Sequence, residues 1–176
     1  ARANGITHTL AAPGGSGSGI TGQATLVHLD GWTVEEMEIE KSAAMVMTWP
    51  SLATRGGRFG GFGGGGGRRS FDEVKRRFDE QVEEMDDWLV AAQHYKQAMD
   101  AGSTRLGRDL QLENLTRVLD RGMKVIVRAN GHREIESAIE FAEKWNLDIV
   151  IAGASGARKV IDLLAEKSVA VILGPV

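Results

Sequence analysis

The chain has 176 residues, a net charge of −3, 42% hydrophobic and 26% charged residues, and no cysteine. That length holds one ordinary domain with a core, the mix is that of a globular protein, and the charge gives no basic field to favour nucleic acid. Disulfides and thiolate metal sites are excluded, and no apolar run is long enough to span a bilayer.

The opening ARANGIT has no initiator Met, no basic stretch and no apolar stretch, so no signal peptide is expected in it. The chain closes on VAVILGPV, in or just after a strand. Both ends read as cut from a longer or processed protein. A soluble protein is expected; the compartment is not legible.

Residues 6–10 predict a short strand, followed by a glycine loop over 12–19 and an extended run over 23–29 that Asp30-Gly31 breaks. Thr33 caps a short helix, with Glu36 at the capping-box position. Residues 44–49 are apolar and extended, and Pro50 ends them. Segment 55–69, RGGRFGGFGGGGGRR, is too rich in glycine to order itself and predicts a flexible linker. It separates 1–54, the N-terminal strands and glycine loop, from 70–176, a long helix followed by βα units, in one structural domain overall.

Ser70 and Glu73 form a capping box. Behind it Phe71, Val74, Phe78, Val82, Met85, Trp88, Leu89, Ala92, Tyr95 and Met99 recur at steps of three and four, one face of a long helix ending near Gly102. Core packing is the ordinary reason for such a stripe, although a bound tetrapyrrole or a coiled-coil partner would use the same spacing. Leu110, Leu112, Leu115, Val118 and Leu119 predict a helix that Gly122 stops. Then come a strand at 124–127, a helix through Ile135, Ala138, Ile139, Ala142 and Trp145 with Asn146 as a left-handed stop, a strand at 148–151, a helix through Val160–Leu164, and a strand at 169–173. Alternating strands and helices with short loops predict right-handed βαβ units and parallel pairing. The strands are continuous apolar runs, as parallel strands covered on both faces are.

The loop PGGSGSGITGQ offers backbone N–H groups to an anion through Gly14, Gly15, Gly22 and Gln23. It is not a P-loop, because Gly-Lys-Ser/Thr is absent, and an extended run replaces the helix of a dinucleotide fingerprint. A tight loop at a strand end, lining a substrate pocket, is the simpler reading. The arginines and phenylalanines of 55–69 resemble RNA-binding tails, but they form one short insertion within a globular pattern, so nucleic acid is not an expected partner. His8, His28, His94 and His132 form no H-x-H or H-E-x-x-H pair. No Gly-x-Ser-x-Gly elbow occurs. Glu80, Glu83, Glu84, Asp86 and Asp87 read as a solvated helix face.

In KVIVRANGHREI an arginine stands at the end of a strand that feeds a helix. Strand ends of this kind carry the chemistry of α/β proteins. Arg128, Asn130 and His132 are therefore candidates to line an anion pocket at a helix N-terminus. A structural ion pair of Arg128 with a carboxylate is the equal alternative. Ser155 before Gly156 is a further anion contact.

The stretch A-x-x-x-G-I-T at Ala1 to Thr7, the loop APGGSGSGITGQATLVHLDGWTVEEM and the closing KVIVRANGHREIESAIEFAEKWNLDIVIAGASGARKVIDLLAEKSVAVILGPV together resemble an interior piece of the amidohydrolase superfamily, in its imidazolonepropionase-like branch. The resemblance implies a metal-dependent hydrolase on a distorted (β/α)₈ barrel. There an H-x-H, a lysine or glutamate, two further histidines and an aspartate hold one or two divalent ions, usually zinc, that activate water. It places the H-x-H before Ala1 and the aspartate beyond Val176. It places the two strand-end histidines at Arg128 and at Ala152 or Gly153. Arginine is a permanent cation and cannot ligate a metal, and alanine and glycine offer no donor. The resemblance thus implies the fold and a parent acting on C–N bonds, while no metal or cofactor is expected in this chain, which would be inactive.

The expected fold is α/β: parallel βα units forming a partial, about half, TIM-like barrel with an inserted long amphipathic helix. Unpaired sheet edges in such a fragment predict a homo-oligomer. The leading function is an amidohydrolase-like protein or fragment. A non-catalytic binding module for a small molecule or anion is the alternative, and RNA binding through 55–69 is a third reading.

Overall fold

A computed structural model describes residues 2–15, 17–53, 70–102 and 107–174. The linker expected over 55–69 lies outside the described residues. The strands are β1 (His8–Ala11), β2 (Gly19–His28), β3 (Glu38–Thr48), β4 (Lys124–Ala129), β5 (Ile149–Gly153) and β6 (Ala170–Leu173). The helices are α1 (Val34–Met37), α2 (Phe71–Asp100), α3 (Leu110–Leu119), α4 (His132–Trp145) and α5 (Ile161–Glu166), with short 3₁₀ turns at Arg2–Asn4 and Ala157–Lys159.

The strands form one curled sheet, half a barrel, in the order β1-β2-β3-β4-β5-β6. From β3 onward every pairing is parallel, whereas β1-β2 and β2-β3 are antiparallel. The parallel pairing expected of the strands from 124 onward is thus found, and the two N-terminal pairings are antiparallel. Residues 12–18, which join β1 to β2, are too few for a crossover, and a parallel pair needs a dozen or more.

The glycine loop is also shorter than expected. Gly19, Gly22 and Gln23 belong to β2, where Gly19 and Gly22 take φ of 115° and 142°. The register slips between Ile20 and Gly22, so the glycines carry a β-bulge and do not end the strand.

The helix-covered face of the sheet holds the main core. Met45, Met47, Val125, Val127, Ala129, Ile149 and Ile151 pack there against Phe78, Met85, Leu89, Ile135 and Ile139. On the opposite face Ala24, Ala44 and Val46 cluster with Ile126. At both open edges the sheet ends without a further strand among the described residues. Ile172 and Leu173 on β6 are exposed.

Helix α2 starts where its cap predicts: Glu73 N donates to Ser70 Oγ at 3.2 Å. Val74, Phe78, Met85, Leu89, Ala92 and Tyr95 are buried, so the stripe is core. Phe71, Trp88 and Met99 leave that stripe and are exposed.

Asp86 on α2 accepts from Lys144 Nζ and from Trp145 Nε1, at 2.8 Å for the indole, and so ties α2 to α4. Burial pushes this carboxyl up, but the Lys144 and Trp145 bonds outweigh it and hold the group below its ordinary 3.8. The folded carboxyl therefore binds its proton more weakly than the unfolded one. The link contributes fully above the unfolded value and is lost as pH falls through the folded one. Asp86→Asn is expected to flatten the loss of stability below pH about 4, where carboxylates titrate. Denaturant titrations across that range check this, and equal slopes in both proteins would count against it.

Helices α3, α4 and α5 close in the same way. The N–H groups of Gly122, Leu147 and Val169 donate five residues back, to the carbonyls of Arg117, Ala142 and Leu164. The residue before each is left-handed: Arg121 at φ 57°, Asn146 at 53° and Ser168 at 52°. Asn146 is thus the predicted stop. Gly122, predicted to end α3, follows a left-handed Arg121. No helix among the described residues is long and apolar enough to cross a membrane.

Candidate functional site

Gly19 of β2 pairs with Thr48 of β3, so the β1–β2 loop lies over the carboxyl ends of the parallel strands. There Gly14, Gly15, Thr48, Trp49, Ser51, Arg128, Asn130 and Glu134 line a cleft of about 690 Å³. Thr48, Arg128 and Ala152 are register neighbours on β3, β4 and β5. They form one row across the sheet, with the small Ala152 beside the guanidinium.

Arg128 Nη1 donates to the carbonyl of Pro13 at 2.9 Å, pinning the glycine loop to the strand end. Among the described residues no ion pair involves Arg128. The carboxylate partner considered as an alternative is therefore not found among them. A guanidinium has five N–H donors, and among the described residues this one donates to Pro13.

The helix N-terminus beside it is occupied from within. Glu134 is the one charged residue among those described that is buried. Its Oε2 accepts from Gly131 N at 2.8 Å and Asn130 N at 3.2 Å. Its Oε1 accepts from Ser51 Oγ at 2.8 Å and Leu52 N at 3.0 Å. Two N–H groups at the helix start, those of Asn130 and Gly131, are thus taken by the protein's own carboxylate, which leaves Arg128 as the cation lining the cleft.

The loop after β5 is bolted to the same place. Ala154 N donates to Ala129 O at 2.9 Å and Gly156 N to Asn130 O at 2.7 Å. Ser155 Oγ donates to Asn130 O at 3.3 Å. Ala154 is buried and left-handed at φ 50°, a conformation that costs a non-glycine residue on the order of 1–3 kcal/mol.

The eight predicted residues therefore do not form one pocket. Gly14, Gly15, Arg128 and Asn130 converge on the cleft. Ser155 supports its rim. His132 opens α4 in a neighbouring hollow with Leu52, Phe71 and Arg133. Gly22 and Gln23 line a separate cavity on the helix side of β2. Sequence reading missed Thr48, Ser51 and Glu134. Only Glu134 left a signal, at the third helical position after Gly131, where a carboxylate reaches back to the cap.

The described residues at these strand ends offer a divalent metal no set of ligands. The strand ends carry Thr48, Arg128, Ala152 and Ile172 in one row. Among the described residues no three His, Cys, Asp or Glu side chains group to hold an ion. His28 Nε2 is bonded to Glu36 O at 2.5 Å and His8 Nδ1 to Thr7 Oγ1 at 2.8 Å, both away from the cleft.

Among solved structures the chain is similar to an amidohydrolase from Thermotoga maritima MSB8. The TM-score is 0.75 and the identity 22%, over 97% of this chain and 43% of that one. The chain has part of the fold of that amidohydrolase. It spans less than half of that protein's length, which agrees with six strands curled into half a barrel. No protein-family model matches the chain, and no curated protein does.

Proposed function

We propose that this chain is part of an amidohydrolase-type barrel, of the imidazolonepropionase-like branch, whose parent hydrolyses C–N bonds of a small molecule. In this reading α2 is an insertion between β3 and β4. The cleft at the strand ends holds substrate and no metal, with Arg128 receiving an anionic group. The observation that carries it is the convergence of Thr48, Arg128, Asn130 and the Gly14-Gly15 loop at the carboxyl ends of the parallel strands. That is where barrels of this kind keep their sites. The open edges of β1 and β6 favour association, with the rest of a parent barrel or with a second copy.

Two measurements test it. Inorganic phosphate in hundredfold excess over its dissociation constant is expected to stabilise the chain by about 2.7 kcal/mol. Arg128→Met should remove that effect and lower unliganded stability by about 1 kcal/mol, the value of its lost bond to Pro13. Phosphate acting equally on both proteins would sink the anion site. After equilibration with zinc and dialysis, the chain should retain far less than one ion and hydrolyse no cyclic amide. Stoichiometric zinc would refute the loss of the metal site. The hydrolase reading stands or falls separately, on metal-dependent hydrolysis by the product of the reading frame that flanks this segment.

A further inference from the structure

At one place in the sheet two histidines stand directly opposite each other. His8 of β1 and His28 of β2 are register partners in an antiparallel pair. Leu29 N donates to Thr7 O at 2.7 Å, so Thr7 and Leu29 make a hydrogen-bonded pair. Such pairs alternate along the ladder. His8 and His28 are therefore a non-hydrogen-bonded pair, the kind whose side chains come closer. Both side chains stand on the same face of the sheet, with Cβ atoms about 4.5–5.5 Å apart. β1 is an edge strand and both rings are exposed to solvent, so ions reach the pair.

The rings are also arranged as ligands. His28 Nε2 lies 2.5 Å from the carbonyl oxygen of Glu36. A carbonyl only accepts, so Nε2 carries the proton and Nδ1 keeps its lone pair. Metal-binding histidines are oriented in this way, by donating the other ring N–H to a carbonyl, a carboxylate or water. His8 Nδ1 is bonded to Thr7 Oγ1 at 2.8 Å, which makes Nε2 the ligand atom of that ring. The Thr7 bond is exposed and joins sequence neighbours, so the His8 ring turns toward His28 at little cost. Residues 29–40, just beyond His28, include Asp30, Glu35, Glu36, Glu38 and Glu40 and no lysine or arginine. The field of that segment attracts a cation.

We infer that His8 and His28 chelate one divalent transition-metal ion, copper(II) ahead of nickel(II) and zinc. Two imidazoles with water in the remaining positions suit the tetragonal geometry of copper, which also stands highest in the affinity order. Among the described residues no group of three His, Cys, Asp or Glu side chains forms, so the pair holds its ion exchangeably, and dialysis removes zinc from it. The bound ion clips the edge strand β1 to β2. The site is separate from the Arg128 cleft and independent of the hydrolase reading.

Copper(II) chloride titrated into the isotope-labelled chain tests this. Paramagnetic broadening should erase the ring resonances of His8 and His28 together at substoichiometric copper, before those of His94 and His132. The electron spin resonance spectrum of the bound ion should show two nitrogen ligands. His8→Ala and His28→Ala should each weaken copper about a hundredfold, because the second imidazole of a chelate binds intramolecularly. His94→Ala, on α2, should leave it unchanged. Broadening of all four histidines at the same copper concentration, or a spectrum of a single nitrogen ligand, would overturn the chelate. Both of those readouts come from the unaltered chain, so they decide the matter even where a variant fails to fold.

Discussion

Gly156→Ala is expected to destabilise the protein by about 3 kcal/mol, the upper end for overpacking. The added Cβ would lie 2.6 Å from His132 N, 2.8 Å from Asn130 O and 3.1 Å from Gly131 C. All three are backbone atoms, held by the end of β4 and the start of α4, so no side chain can swing aside. The cost is purely steric, because Gly156 sits at φ −89° and ψ 0°, a conformation open to alanine. Moving the loop away breaks the bond from Gly156 N to Asn130 O. Urea unfolding checks this: the midpoint should fall with the slope unchanged. Ser155→Ala, one residue earlier and exposed, should change stability by no more than about 0.5 kcal/mol. Equal behaviour of the two variants would mean that the loop is not locked on β4.

Glu134→Ala is expected to cost about 4 kcal/mol, and Glu134→Gln about 2. One carboxylate satisfies four donors from two loops: Ser51 Oγ, Leu52 N, Asn130 N and Gly131 N. Each donor left without an acceptor costs about 1 kcal/mol, the low end of the range because the site is only partly buried. Alanine abandons all four. Glutamine keeps one acceptor oxygen and turns its NH₂ toward the other pair. The ordering matters more than the totals. If glutamine matched glutamate, the carboxylate would be filling space rather than joining loops. If glutamine were as harmful as alanine, geometry would outweigh hydrogen-bond count.

The sequence spoke most clearly where hydrophobic period and local chemistry coincide. Ser70 with Glu73 and the apolar stripe marked α2, and Asn146 marked the end of α4. Where glycine was read as a breaker, it misled. Gly19 and Gly22 lie inside β2, because cross-strand bonds to β3 hold a bulge that local propensity disfavours. The start of β3 was hidden by Glu38, Glu40 and Lys41, which stand on a solvent-exposed stretch of strand and give no apolar signal. The site was half legible. Arg128 and Asn130 follow from the strand end, and the Gly14-Gly15 loop meets them only because Arg128 bonds Pro13, 115 positions away in sequence. No local pattern encodes that contact. Glu134 was passed over as one more helical carboxylate, since its burial depends on Ser51 and Leu52 from a distant loop.

The strands pair in chain order, yet one step between neighbours is unlike the rest. Between the end of β3 at Thr48 and the start of β4 at Lys124 lie 75 residues, 49–123, including α2 and α3. Loop closure grows only with the logarithm of length, about 0.6 kcal/mol per doubling. Replacing a minimal crossover of about a dozen residues with this one adds roughly 1.6 kcal/mol of chain entropy. Burying a single leucine such as Leu89 offsets a cost of that size. A barrel can therefore accept a long excursion between adjacent strands at almost no thermodynamic expense, provided the excursion brings its own apolar face back to the sheet.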